Sequence, residues 1–250
     1  MKTLNVLLAA SVLSAIASTT FAADEQVVQE SASPYASYLA PLSVRAEVGT
    51  TGYGGALSYR VNPYVGLSLG YNGGDISWSD DIKVDGSTYD LDMENNNTYL
   101  NAEIFPWGTS ENNFVNSMYV AAGVAYLDND YDLQKSTTAG RALTVNGNDY
   151  QVIDPTREGG VKGQMSYKND IAPYVGLGIA PKLYKNFGVF GEVGAYYTGN
   201  PTVNLDHYNL QAVAGAQDIN TTIRAEEEKI ANDGKYEWMP VAKVGLNFKF

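Results

Sequence analysis

The sequence contains no cysteine and a single histidine, His207, in 250 residues. Without cysteine the chain has no disulfide, no thiolate nucleophile and no zinc–thiolate site. A lone histidine between Asp206 and Tyr208 is more often a surface residue than a catalytic base, and no G-x-S-x-G motif accompanies it. The sequence therefore predicts no catalytic residue, no metal site and no cofactor, and we interpret the chain as a protein that is not an enzyme.

Basic residues are also scarce, with 16 Lys+Arg against 28 Asp+Glu and a formal net charge of -12. Nucleic-acid binding requires clustered lysine and arginine, so this balance excludes a nucleic-acid partner. After the N-terminal segment, no stretch of the chain approaches the roughly 18 apolar residues of a membrane-spanning helix. The chain thus lacks the usual means of crossing a membrane by helices.

The N-terminus carries the pattern of a secretory signal. One lysine in Met1–Asn5 precedes the apolar run Val6–Ala17, and Thr20-Phe21-Ala22 supplies the small residues that signal peptidase requires. We predict a cleavable signal peptide at 1–22, a flexible periplasmic leader at 23–41 and one domain at 42–250. An exported chain belongs in the periplasm, in the outer membrane or outside the cell.

The last eleven residues, Pro240–Phe250, alternate strictly between two faces. One face carries Ala242, Val244, Leu246, Phe248 and Phe250, and the other carries Val241, Lys243, Gly245, Asn247 and Lys249. A period of two indicates a β-strand. Such a strand suits a soluble β protein with its lysine face in water, or a membrane barrel with its apolar face towards lipid.

The same alternation recurs in eight segments, whose connections decide between these two folds. The predicted strands are 42–49, 54–61, 64–71, 98–105, 118–127, 171–180, 187–197 and 236–250. Short or medium links alternate with long inserts at 72–97, 128–170 and 198–235, as in outer-membrane barrels. The predicted fold class is all-β, an eight-stranded antiparallel up-and-down transmembrane β-barrel with three long extracellular loops.

Local signals also occur inside the inserts. Asp85-Gly86 and Asn146-Gly147 predict hairpin turns, and the composition of 219–233, with its run of helix formers at 224–231, predicts a helix. The Tyr and Trp side chains at strand ends predict interfacial girdles; they are Tyr59, Tyr71, Tyr126, Tyr197, Trp78, Trp107 and Trp238.

Several segments together resemble one known family. They are Ala46–Leu57, Asn62–Trp78, Tyr89–Asn97, Ala125–Leu133, Ser166–Tyr174, Gly188–Pro201 and Lys235–Val241. These segments are similar to the carbapenem-associated outer-membrane protein family, CarO, from about Val44 to Phe250. The resemblance implies an eight-stranded barrel in the bacterial outer membrane. It also implies entry of small solutes, notably basic amino acids such as ornithine, and a link to susceptibility to carbapenems such as imipenem.

Six charged residues fall on the faces predicted to line the lumen. They are Arg45, Glu47, Arg60, Glu103, Glu192 and Lys243. An eight-stranded barrel has an interior just wide enough for side chains, so these ions could pair into a plug. Small inward residues, many of them glycine, could instead leave a narrow polar path. Both readings remain open at this point.

The excess of acid lies in the long loops. Six loop residues form a predicted acidic vestibule that would concentrate cationic solutes at the mouth; they are Asp75, Asp80, Asp81, Asp128, Asp130 and Asp132. An equal alternative is a solvated surface beside lipopolysaccharide, bridged by divalent cations. The expected partners are outer-membrane lipid, lipopolysaccharide and small-molecule solutes. The first functional reading is a channel or uptake protein for small cationic solutes, and the alternative is a closed barrel that serves as a structural or adhesion surface.

Overall fold

The computed structural model describes residues 41–84 and 87–250, without the side chains of 76–87. The predicted signal peptide at 1–22, the leader up to residue 40 and the turn at Asp85-Gly86 lie outside the described residues. No helix in the described part of the chain is long and apolar enough to span a membrane.

The described residues form mostly antiparallel strands. The strands are β1 (Leu42–Gly49), β2 (Gly52–Asn62), β3 (Val65–Val84), β4 (Ser87–Ile104), β5 (Met118–Leu127), β6 (Asp130–Thr137), β7 (Leu143–Val145), β8 (Asn148–Val152), β9 (Gly159–Tyr167), β10 (Ile171–Ile179), β11 (Lys182–Tyr184), β12 (Phe187–Tyr197), β13 (Pro201–Tyr208), β14 (Leu210–Ala212) and β15 (Trp238–Lys249). Helix α1 spans Ile219–Asn232, and short 3-10 turns lie at Val115–Ser117 and Gly234–Glu237.

Eight of these strands pair into a closed ring. The order is β1–β2–β3–β4–β5–β10–β12–β15, with β15 pairing back onto β1, and every pair is antiparallel. No edge is left open within this ring, as a membrane barrel requires. The predicted eight-stranded barrel is confirmed, and β1, β5 and β12 have the predicted bounds.

The two faces of the barrel wall differ as predicted. Outward apolar side chains stay exposed, for example Leu57, Leu69 and Leu177 at 46%, 53% and 61%. Inward charged side chains are buried, and Glu192 and Lys243 face each other across β12 and β15. Water would favour the opposite arrangement, so this wall fits a hydrocarbon surround.

The long hairpin of β3 and β4 corrects one prediction. The segment 72–97, predicted to be a polar loop, continues both strands, which pair as far as Val84 and Ser87. Beyond the lipid-facing part of the hairpin, apolar and polar residues still alternate, but the apolar residues now point inward and the polar ones outward. Leu91 and Met93 point inward and are buried, whereas Asp92 and Glu94 are exposed. The apolar side turns inward because water replaces lipid outside.

The other two long inserts fold onto this hairpin. Strands β6, β9 and β13 extend the wall in the order β4–β6–β9–β13, and β7, β8 and β14 form a second sheet. The loop domain, as we call it, consists of strands β6, β7, β8, β9, β13 and β14, helix α1 and the outer halves of β3 and β4. Its core consists largely of apolar and tyrosine side chains, which include Tyr89, Leu91, Leu133, Leu143, Val145, Tyr150, Val161, Leu210, Ile223 and Ile230.

Two local predictions within the loop domain are confirmed. Asn146 and Gly147 have φ of 45° and 72° and join β7 to β8 as a hairpin. The predicted helix is α1, which begins where Asp218 accepts hydrogen bonds from the backbone N–H groups of Asn220 and Thr221. Its buried stripe packs on β13.

Candidate lumen site

Arg45 and Glu103 form the central ion pair of the lumen. Arg45 donates two hydrogen bonds to the Glu103 carboxylate, at 2.6 and 3.0 Å. Ser68 donates a third, at 2.6 Å, and its own hydroxyl lies 2.6 Å from that of Ser58. All four side chains are buried. This bidentate pair joins β1 to β4 across the interior, and paired hydrogen bonds of this kind fix both position and orientation.

A second group surrounds Lys243. Its ammonium lies 3.2 Å from Glu192 and 3.7 Å from Glu47. Tyr119 and Tyr174 donate to Glu192 at 2.8 and 2.7 Å. The Lys243 ammonium also lies 4.1 Å from the centre of the Tyr99 ring. Tyr99 in turn donates to Glu47 at 2.7 Å. We call Arg45, Glu47, Glu103, Glu192 and Lys243 the ion network.

Arg60, the sixth predicted lumen residue, lies at the short-turn end of the same interior. It is only partly buried, donates to the Pro63 carbonyl at 2.6 Å and lies 3.4 Å from the centre of the Phe105 ring. Its place near the end of β2 puts it at the short-turn rim. Five of the six predicted residues belong to the ion network, and Arg60 lies beside it, in one register row with Glu103 on the other side of Gly66.

Four of the six predicted vestibule residues lie on the outer surface of the protein. Asp75, Asp128, Asp130 and Asp132 are exposed, and Asp130 and Asp132 stand opposite Glu94 and Asp92 on the outer face of the loop-domain sheet. Asp80 and Asp81 lie on β3 among the side chains that the structure does not describe. For these four residues the vestibule prediction is corrected, because the buried face of that sheet is apolar and the carboxylates lie on its exposed face.

Sequence reasoning missed a group of buried asparagines on the same inward faces. Asn72, Asn95, Asn97 and Asn101 are at most 3% exposed. The oxygen atom of each side-chain amide lacks a hydrogen-bond partner among the described residues. The period of two could have identified them, because they occupy the alternate positions that face inward on β3 and β4.

The comparisons with known proteins agree with this architecture. The chain is 62% identical to CarO of Acinetobacter baumannii over 84% of this chain and 98% of that one, with a TM-score of 0.69. It is 54% identical to CarO2 of the same bacterium, with the same coverages and a TM-score of 0.71. No protein-family model matches the chain, and neither does any curated protein.

The closed ring, its apolar exterior and these relatives define an integral β-barrel protein of the bacterial outer membrane, a class that is generally not enzymatic. Within that class the chain belongs to the CarO family. The family predicted by resemblance is thereby confirmed.

Proposed function

We propose that this protein takes up small solutes, preferentially cationic ones, across the outer membrane. The observation that supports uptake most directly is the polarity of the lumen. The ion network and the buried asparagines line its interior, and several of their polar atoms find no partner among the described residues. Such atoms are costly to bury unless water or a solute bonds to them. A purely structural plug would be expected to pair or replace these groups.

The ion network limits what can pass. Arg45–Glu103 and Lys243–Glu192 are buried ion pairs, and breaking either pair leaves an uncompensated charge. A passing solute must therefore offer groups that replace the broken bonds. An ammonium can take the place of Lys243 beside Glu192, and a carboxylate can take the place of Glu103 beside Arg45. Small amino acids carry both groups, and a basic side chain adds a further donor.

The proposed preference for cationic solutes depends on the negative electrostatic field of the protein. The chain carries a formal charge of -12, and exposed carboxylates cover the outer face of the loop domain. Such a field raises the local concentration of cations. Salt screens it, and at 0.1 M little of the field remains beyond about 10 Å. The basic amino acids and carbapenems implied by the family resemblance are candidate solutes.

The test measures uptake into proteoliposomes of purified full-length protein. We expect ornithine to enter faster than an anionic amino acid of similar size at low salt, with the difference shrinking at high salt. Asp132→Asn is a matched surface variant that should reduce only the salt-sensitive part. Imipenem entry is measured in parallel. Equal rates for cation and anion contradict the preference, and no uptake above empty liposomes favours the alternative, a closed barrel acting as a structural or adhesion surface.

A further inference from the structure

We propose that the lumen holds a binding site for a monovalent metal cation, Na⁺ or K⁺, formed by Glu47, Asn72 and Asn97. The site lies beside the ion network, on the side towards the loop domain. This inference goes beyond solute uptake, because it concerns a resident ion at equilibrium. It holds whether or not any solute passes.

The strand register places the three residues in one row. Glu47 pairs with Gly54, Gly54 with Asn72, and Asn72 with Asn97. Gly54 has no side chain to separate its neighbours. A Cβ added there would lie 2.7 Å from Oδ1 of Asn72, so this amide leans over Gly54 towards the strand that carries Glu47. The row thus brings oxygen atoms from β1, β3 and β4 to one part of the wall.

The oxygen atoms of this row are buried and accept no hydrogen bond within the described part of the chain, and the Lys243 ammonium lies 3.7 Å from Oε2 of Glu47. Oε2 of Glu47, Oδ1 of Asn72 and Oδ1 of Asn97 have no hydrogen-bond partner among the described residues. The three side chains are 5%, 1% and 0% exposed. Carboxylate and amide oxygens are the ligands that hard cations prefer. Unmatched buried acceptors therefore indicate a cationic guest.

The charges of the ion network point the same way. Glu103 has both hydrogen bonds from Arg45, and Glu192 has Lys243 with two tyrosine donors. Glu47 has the Tyr99 hydroxyl and only the more distant contact with Lys243, at 3.7 Å. Arg60 lies in one register row with Glu103, on the other side of Gly66, so its charge adds to that of Arg45 at Glu103. Glu47 therefore has the weakest cationic partner of the three carboxylates, and a monovalent cation would complete its neutralisation.

Thermal unfolding of the full chain in detergent tests the proposal. The midpoint is compared in NaCl, KCl and choline chloride at equal concentration, since choline is too large for the site. We expect Na⁺ or K⁺ to raise the midpoint by about 5 °C at a cation concentration 100-fold above its Kd. Asn97→Leu and Glu47→Gln should abolish this difference. Asn101→Leu is the matched control and should retain it, because the Asn101 amide leans over Gly123 on the opposite side.

A direct measurement keeps the proposal falsifiable if a variant fails to fold. Crystals of the wild-type protein grown in rubidium or thallium salts should show an anomalous peak between Asn72, Asn97 and Glu47. Ordered water alone at that position, or identical midpoints in the three salts, would overturn the cation site. Neither outcome bears on solute uptake, which is measured separately in proteoliposomes.

Discussion

At the scale of single residues, Glu103 determines whether the lumen keeps its structure. Its carboxylate accepts two bonds from Arg45 and one from Ser68, and all three groups are buried. Removing one partner of a buried ion pair leaves the other charge uncompensated, at a cost of about 3–5 kcal/mol. We predict that Glu103→Ala lowers the free energy of unfolding by about that amount, measured by denaturant unfolding in detergent.

The matched comparison replaces both ions at once. The double variant Arg45→Met with Glu103→Leu removes the charges together and fills a similar volume, so it should unfold close to wild type. Ser43→Ala, a nearby change whose hydroxyl makes only a long contact with the Ser58 carbonyl, should have little effect. If Glu103→Ala is as stable as the double variant, the pair does not organise the lumen.

At the scale of elements, β6 and β9 place a pair of tyrosines outside the membrane. The rings of Tyr131 and Tyr167 lie 5.5 Å apart, and Tyr167 donates to the Tyr236 carbonyl at 2.9 Å. Burial raises the pKa of Tyr131 and that of Tyr167 above the ordinary value near 10. Above that pH the unfolded chain loses these protons first, so stability falls as pH rises.

This sign gives a prediction for the loop domain. Between about pH 9 and 12, the free energy of unfolding should fall less steeply in the double variant Tyr131→Phe with Tyr167→Phe than in wild type. The variant lacks two phenol groups that lose their protons more readily in the unfolded chain than in the folded one. Denaturant unfolding across that range, followed by circular dichroism, measures the slope. Exposed Tyr184→Phe serves as the control. Identical slopes in wild type and the double variant would contradict the assignment.

The elements also show what sequence could and could not predict. Within the lipid, apolar residues face outward, and β5 and β12 were predicted to the residue. Outside it, Asp90–Glu94 and Asp130–Leu133 keep the period of two but with acids outward. That exchange of polarity made strands look like polar loops. A reading that allowed the apolar face to change sides at the membrane surface would have found the long β3–β4 hairpin.

The site was predictable only in part for a similar reason. Inward positions identified the charged residues, but pairing depends on distances between strands that are remote in sequence. Tyr99, Tyr119 and Tyr174 lie inward and donate to Glu47 or Glu192, and the spacing of the sequence does not show which carboxylate each hydroxyl reaches. Arg60 lies over the buried Phe105 ring at the short-turn rim, and no sequence pattern could have shown that contact.

At the scale of the whole molecule, a closed barrel continues into a loop domain, and their buried apolar side chains form one cluster. The inward row of β4 runs from Tyr99 through Asn97 and Asn95 to Met93 and Leu91, so it passes from polar to apolar. The apolar core of the loop domain therefore lies over the outer end of the lumen. In the proposed uptake function, the apolar core would restrict solute entry and the acidic outer face would attract cations.

Removing the loop domain separates these two contributions. We predict that replacing 75–94, 130–167 and 201–233 by short turns leaves a folded barrel, because all eight ring pairings lie largely outside those segments. Uptake of ornithine in proteoliposomes should rise, since the apolar core no longer covers the lumen. Its advantage over an anionic amino acid should shrink, since most exposed carboxylates are gone. A variant with the loop domain intact but Asp92 and Asp132 changed to Asn should lose selectivity without gaining rate. Faster uptake with unchanged selectivity would place the charge filter in the ion network instead.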